Sequence, residues 1–387
     1  MKYYIIAGEA SGDLHGSNLM KGLYAQDPEA DVRFWGGDLM NAVFRAHQEG
    51  VGLVKDYRDG AVMGYLEVLL KGISLLKKVR FCKEDIAAWK PDVVILIDYP
   101  GFNFKIAEFA HGAGYKVFYY IAPKVWASRE GRIRKLKAFV DRLYIVFPFE
   151  IPYFESKGVP FTYVGNPLVD AIDGSPALQE SKADFFRRTG LPDAPYIALL
   201  AGSRNMEIGQ MMPAFMEFAS RWHARYPECQ FVVAAGPSRT MEDYARYLGG
   251  RDYVRVVFGE TYAALRHARA AIINSGTASL EAALIGTPQV VGYKVAAASA
   301  FIMRRIIKVK YVSLANLIIN RLAFKEFLQE NFTVENLEEE MLRLWEDAPY
   351  RQKMLADYGE IRSLLGGSGA SNAVAAAMID NLKNNNH

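Results

Sequence analysis

The run Tyr3-Tyr4-Ile5-Ile6-Ala7-Gly8-Glu9-Ala10-Ser11-Gly12-Asp13-Leu14-His15-Gly16-Ser17-Asn18 limits the fold of this chain more than any other segment. A short apolar stretch breaks into a loop with glycines at every fourth position, and the amphipathic stretch Leu19 to Leu23 follows. This is the pattern of a first strand, a tight turn and a first helix of a doubly wound α/β domain. Such sheets bind ligands beyond the carboxyl ends of their strands. Glu9, Ser11, Asp13 and His15 therefore gather polar groups at the expected crevice and are candidate substrate-binding residues. The plainer alternatives are a cap for Asp13, a structural hydrogen bond for His15 and a loop-shaping role for Glu9.

Further strand patterns at Val32–Gly37 (with its turn), Asp92–Asp98, Lys116–Ile121, Arg142–Phe147 and Phe161–Pro167 (ending in a breaker) continue the alternation with helical patterns. Continuous apolarity over residues 93–97 marks a buried parallel strand. Residues 171–193 are polar and carry Gly174, Pro176 and Pro192, which reads as a linker. The pattern then restarts at Tyr196–Leu200, with strands expected at Gln230–Ala234, Val254–Val257, Ala271–Ile273 and Gln289–Val291. A helix is expected from about Gln210 to Tyr226, with Pro213 in its first turn. With 387 residues the chain exceeds what one core usually serves. The expected fold class is α/β, with two Rossmann-like domains facing across a cleft: residues 1–170, a linker at 171–193, residues 194–360, and a C-terminal helix and tail at 361–387. The sequence leaves open which domain that helix packs on, or whether subunits exchange it.

A net charge of only +3 argues against nucleic acid as the main partner. Two cysteines, Cys82 and Cys229, fall in separate domains, which speaks against a disulfide framework and a cysteine metal site, and for a reducing compartment. No metal or cofactor is expected. The amino terminus lacks the pattern of a signal peptide, and no uncharged run approaches the ~18 residues of a spanning helix. The expectation is a cytoplasmic protein that touches membrane from the surface.

Two places concentrate chemistry. In the second half, Ser275-Gly276-Thr277 follows a strand and opens a helix, where backbone N–H groups favour an anion; Ser275 and Thr277 are the expected caps. Glu281 lies one turn further on and suits ribose hydroxyls, while Arg204 of the loop Gly202-Ser203-Arg204 suits a diphosphate. Each piece alone has the plainer reading of a capped helix or a surface arginine; both in one half favour a nucleotide-diphosphate pocket. In the first half, Asp98 ends a buried strand and faces the glycine loop, as a group that takes a proton from an attacking hydroxyl would. Its plainer reading is a turn former.

Between Ala61 and Phe81, Val62, Leu66, Leu69, Leu70, Ile73 and Leu76 recur at helical spacing, with Lys71, Lys77, Lys78 and Arg80 interleaved and Lys83 following. A wide apolar face flanked by lysines suits an interfacial helix on anionic lipid; a core-facing helix is the alternative. A second basic cluster, Arg129, Arg132, Arg134, Lys135 and Lys137, follows Trp126 and suits phosphate or headgroups, or equally a solvated helix face.

The motifs Gly8 to Gly16, Ile97-Asp98-Tyr99-Pro100-Gly101-Phe102-Asn103, Phe147-Pro148-Phe149-Glu150, Gly165-Asn166-Pro167-Leu168, Ser275-Gly276-Thr277 through Glu281, Tyr311 to Leu317 and Lys325 to Glu330 occur in one order. Together they resemble the lipid-A-disaccharide synthase family over nearly the whole chain. The resemblance implies the GT-B fold and an inverting, metal-independent transfer from UDP-2,3-diacylglucosamine to 2,3-diacylglucosamine-1-phosphate. The product is a β-1,6-linked disaccharide phosphate, made on the cytoplasmic side of the Gram-negative inner membrane. It implies Asp98 as base, Arg204 and Asn316 as residues important for activity, and a lipid-binding helix near Leu66 to Leu76. Some members form homodimers. Tyr99, Gly101, Ala201 and Ala315 depart from the family pattern; the first two put acyl-chain preference in doubt, and all four leave Asp98, Arg204 and Glu281 in place. The competing readings are another GT-B enzyme (a lipid-linked sugar transferase or a UDP-sugar epimerase) and a non-catalytic, membrane-attached nucleotide-binding module. A dinucleotide dehydrogenase is weaker, because Gly8, Gly12 and Gly16 miss the G-x-G-x-x-G spacing.

Overall fold

The computed structural model describes residues 1–59, 67–294 and 310–384. The chain divides into two compact units: Met1–Ala171 together with the chain from Leu365 onward, and Ile172–Leu364.

The first unit holds a sheet of seven strands: β1 (Lys2–Ala7), β2 (Asp31–Gly36), β3 (Leu53–Asp56), β4 (Val93–Ile97), β5 (Lys116–Tyr120), β6 (Arg142–Ile145) and β7 (Phe161–Tyr163). Their spatial order is β3-β2-β1-β4-β5-β6-β7 and every pairing is parallel. Residues 3–7 and 93–97 are buried on both faces, as a sheet covered by helices on each side requires. The strand order reverses between β1 and β4, whose last residues Ala7 and Ile97 are register partners. Gly8 and Asp98 therefore leave the sheet side by side at its switch point.

The spaced glycines serve close approach. A Cβ on Gly12 would stand 3.1 Å from the Cβ of Ala7, and one on Gly16 only 2.6 Å from Met40 Sδ. The helix Ala10–Gln26 thus lies tight against β1 and against the helix Asp38–His47.

The C-terminal helix Ala370–Asn384 packs on the helix Ala10–Gln26, so the chain crosses back to the first unit. At Gly22 a Cβ would meet Ala375 Cβ at 2.9 Å, so the glycine permits the contact. Val374, Met378, Ile379 and Leu382 are buried in the same core as β1. Such side chains contribute about 1.5–3 kcal/mol each when fully buried.

The second unit repeats the plan with β8 (Tyr196–Leu200), β9 (Gln230–Ala235), β10 (Val254–Phe258), β11 (Ala270–Asn274), β12 (Gln289–Tyr293) and β13 (Glu326–Leu328). The order β10-β9-β8-β11-β12-β13 is again all parallel and reverses between β8 and β11. The fold class is therefore α/β with two Rossmann-like units.

Residues 171–193, read from sequence as a linker, include the helix Lys182–Thr189, capped by Ser181, with Phe185 and Phe186 buried. The expected helix from Gln210 begins earlier, at Asn205, where the Glu207 carboxylate accepts from the Arg204 N–H; Pro213 consequently lies inside the helix rather than in its first turn.

Candidate functional site

At the first switch point the backbone is strained. Asp98 and Tyr99 are consecutive non-glycine residues in the left-handed region, with φ of 42° and 44°. Each such residue costs on the order of 1–3 kcal/mol and persists only where its surroundings fix it. Here they do. The Asp98 N–H donates to the carbonyl of Tyr120 (3.1 Å). The Asp98 carbonyl accepts from the Tyr119 hydroxyl (2.6 Å) and from Asn103 Nδ2 (2.8 Å). The Tyr99 ring fills the space over Gly8, where a Cβ would come within 2.3 Å of it. Pro100 then starts the helix Pro100–Gly112.

The Asp98 carboxyl is pushed above the ordinary aspartate range, chiefly by burial. Lys124 pulls it down, Glu9 pushes it up, and Arg132 adds a smaller downward influence. A carboxylate made more basic in this way is suited to proton abstraction.

Glu9 and Ser11 are exposed at the start of the helix Ala10–Gln26. His15 has a buried Nδ1 with no hydrogen-bond partner, and burial pushes its imidazole down to about 4. It is therefore neutral near pH 7.

Asp13, expected to bind substrate, has other partners. Its carboxylate accepts from the N–H groups of Gly37 (2.8 Å), Leu39 (3.1 Å) and Met40 (3.1 Å). It caps the next helix, Asp38–His47, across space, which no side chain of that segment does. Four positions into the helix, it is carried beneath the loop that follows β2.

Glu150 is fully buried and accepts from Trp126 Nε1 (3.0 Å) and from the N–H groups of Val146 (3.2 Å) and Phe147 (3.1 Å). Burial pushes its carboxyl up to about 7. The folded state thus binds a proton that the unfolded chain releases at ordinary glutamate pH. Stability is undiminished below about pH 4.3, falls as pH rises toward 7 and is constant above; the whole effect is about 3 kcal/mol. The melting temperature of the wild type is expected to decline over this window more steeply than that of Glu150→Gln. Parallel pH profiles of the two proteins would contradict the assignment.

At the second switch point the loops after β8 and β11 are neighbours. Gly202 has φ of +105°, and a Cβ there would stand 2.4 Å from Glu207 Oε2. That oxygen accepts from the N–H groups of Ser203 (2.9 Å) and Arg204 (3.1 Å), which fixes the loop. Arg204 is two-thirds exposed and rests one guanidinium nitrogen on Glu207 Oε1 at 3.1 Å. Arg239 braces the loop from the side through the Ser203 carbonyl and Asn205 Oδ1.

The helix Thr277–Ile285 starts at Gly276 with no side-chain cap. Ser275 and Thr277 do not cap it as expected, because extended Gly276 (φ 172°) occupies the cap position. The Ser279 N–H donates to the Gly276 carbonyl (3.3 Å), while those of Thr277 and Ala278 have no intrahelical or side-chain acceptor, the arrangement that binds anions. Glu281 accepts from the Tyr262 hydroxyl at 3.1 Å, and burial raises its carboxyl above the ordinary range.

Asn316 is wholly buried and engaged within the unit. Its Nδ2 donates to the Phe324 carbonyl (3.1 Å) and Glu326 Oε1 (2.8 Å), and its Oδ1 accepts from the Ala323 N–H (2.8 Å). Glu326 also accepts from the N–H groups of Val312 (2.9 Å) and Ser313 (2.8 Å). Asn316 thus ties residues 311–316 to β13, with its side-chain nitrogen and oxygen both engaged within the unit.

Val62 and Leu66 lie outside the described residues, as do the side chains of Leu69, Leu70 and Ile73. Leu76 is 60% exposed and Phe81 47% exposed on the helix Glu67–Trp89. No helix among the described residues is long and apolar enough to cross a membrane.

Sequence reading missed Tyr262, Arg239 and Glu207. Glu207 stood three residues after Arg204, the spacing of a capping box, but arginine is not a usual cap. Tyr262 and Arg239 carry no local signal, since only the sheet order brings them to these loops.

The model of the family described as lipid-A-disaccharide synthetase matches residues 3–378. The lipid-A-disaccharide synthase of Geobacter metallireducens is 37% identical over 380 residues, covering 98% of this chain and 96% of the relative. That of Myxococcus xanthus is also 37% identical, covering 97% and 96% of the two chains. Among solved structures, the UDP-GlcNAc 2-epimerase of Neisseria meningitidis bound to UDP-GlcNAc superposes with a TM-score of 0.72 at 14% identity, covering 98% of this chain and all of that one. The sucrose-phosphate synthase of Thermosynechococcus elongatus gives 0.57 at 14% identity, covering 99% of each chain. At these identities the structural likeness shows the fold, the GT-B plan of two Rossmann-like halves.

Proposed function

The chain belongs to the lipid-A-disaccharide synthetase family, and from that premise we propose how its residues carry out the transfer. It is a glycosyltransferase of lipid A biosynthesis, a lipid-A-disaccharide synthase acting on a nucleotide sugar and a lipid acceptor. The donor is UDP-2,3-diacylglucosamine and the acceptor 2,3-diacylglucosamine-1-phosphate. The observation that carries the reading is the turn at Asp98, where a carboxylate of raised basicity is fixed at a sheet switch point.

Asp98 takes the proton of the acceptor's 6-hydroxyl as that oxygen bonds to the donor's anomeric carbon. The bond from that carbon to UDP breaks on the opposite face, and the electron pair leaves with the diphosphate. The start of the helix Thr277–Ile285 and the Arg204 guanidinium receive this charge. Glu281, steadied by Tyr262, accepts from the ribose hydroxyls. Glu9, Ser11 and His15 line the acceptor side. Asp13 and Asn316 act indirectly, through the loops they hold. The enzyme works at the inner membrane as a peripheral protein, with the exposed Leu76 and Phe81 among lysines facing anionic lipid.

Transfer of radiolabelled sugar between substrates of defined acyl chains, with and without chelator, tests the reading; labelled disaccharide is expected in both. Glu281→Ala is expected to weaken UDP binding about 10- to 100-fold and Tyr262→Phe a few-fold, since hydrogen bonds to a charged group contribute about 1.5–3 kcal/mol. Calorimetry showing wild-type affinity for Glu281→Ala would remove that residue from the nucleotide site.

A further inference from the structure

We propose that Lys124, Arg129 and Arg132 form a subsite for a phosphomonoester on the acceptor, beside the Asp98 carboxylate. The proposal rests on the reading of Asp98 as the base.

Ile97 and Tyr120 are register partners at the ends of β4 and β5, so the loop that follows Tyr120 leaves the sheet next to Asp98. That loop is held in place. The Ile121 N–H donates to the Tyr144 carbonyl (3.0 Å), Trp126 donates to buried Glu150 (3.0 Å), and the Tyr153 hydroxyl donates to the Val125 carbonyl (3.3 Å). Arg132 is half-buried, with its guanidinium 5.9 Å from the centre of the Phe104 ring.

Three arginines elsewhere each meet two carboxylates: Arg58 has Asp38 and Asp56, Arg188 has Glu180 and Glu260, and Arg321 has Asp357 and Glu360. Among the described residues, none of Lys124, Arg129 and Arg132 has a carboxylate within ion-pair distance, and Glu130, which lies between the arginines, pairs with Lys157 instead. Burial and the neighbouring Arg129 both lower the basicity of Arg132, as expected of like charges facing one another. Lys124 and Arg132 also act electrostatically on Asp98, which places them at the reacting end of the unit.

Three cations with no carboxylate in ion-pair contact fit a dianion with several oxygens better than a single carboxylate, and guanidinium matches phosphate geometry. A membrane lipid headgroup offers the same chemistry. The half-buried position of Arg132 beside Asp98 favours the acceptor.

The test is a cycle across protein and substrate. The kcat/KM of the full chain is measured with 2,3-diacylglucosamine-1-phosphate and with the same acceptor lacking phosphate, for wild type, exposed Arg129→Gln, Arg132→Gln and the charge-retaining Arg132→Lys. Wild type is expected to lose about 100-fold on removal of the phosphate, and Arg132→Gln to lose about tenfold or less, because a charge-assisted contact is already absent. Arg129→Gln is expected to fall between them, and Arg132→Lys between wild type and Arg132→Gln. UDP affinity is unchanged in all. An equal loss in every variant overturns the subsite. So does loss of sedimentation with phosphatidylglycerol vesicles while the phosphate effect stays whole, which assigns the cations to the membrane. Asp98→Asn with full turnover would instead sink the base assignment and leave the phosphate measurement standing.

Discussion

Asp98→Asn is expected to lower kcat by about 10²–10⁴-fold, the usual contribution of a positioned general base, with UDP affinity within about twofold of wild type. Asparagine is the informative substitution because it tolerates the left-handed backbone that Asp98 adopts at φ 42°. Asp98→Ala removes the same carboxylate but adds strain to the turn, so it is expected to lose comparable activity and some stability as well. The carboxyl stands above the ordinary aspartate range because it is buried, with Glu9 adding to the effect. The acid limb of kcat/KM in the wild type is therefore expected at a pH above that range, and it should vanish from the residual activity of Asp98→Asn. A variant that turns over at the wild-type rate, or keeps the same acid limb, would show that another group takes the proton.

Asp13→Ala is expected to destabilise the first unit by about 2–4 kcal/mol, more than loss of an ordinary cap, because the carboxylate satisfies three backbone donors and is itself buried. Two of those donors, from Gly37 and Met40, are buried with it. Loss of activity should follow loss of folded protein. Below the unfolding transition the surviving molecules should keep near-normal KM values. Asp13→Asn keeps one acceptor and is expected to fall between. A denaturation midpoint equal to wild type, together with a raised acceptor KM, would return Asp13 to the substrate site.

The contrast between Asp98 and Asp13 shows what the sequence could convey. Asp98 was legible because it ends a run of five buried apolar residues, and the end of such a strand has one place to go. Glu281 was legible because helical spacing from Thr277 fixes its face. Asp13 sits in an equally polar motif, yet its partners belong to a helix that begins 25 positions later, beyond the reach of local pattern. Asn316 likewise has partners seven to ten residues further on, Ala323, Phe324 and Glu326, outside a local helical pattern. The strands β3 and β13 escaped notice because they are four and three residues long and only half-buried, so neither shows an apolar run or a clear alternation. The left-handed pair at Asp98 and Tyr99 is set by Gly8, Asn103, Tyr119 and Tyr120, a constraint distributed over the loop after β1, the helix Pro100–Gly112 and β5.

The most direct test of the whole account is the linkage and anomeric configuration of the product formed by wild-type protein from UDP-2,3-diacylglucosamine and 2,3-diacylglucosamine-1-phosphate, read by proton NMR. The account predicts a β-1,6-linked disaccharide phosphate and one UDP per bond made. An α linkage, or a donor returned epimerised with no disaccharide formed, would contradict it.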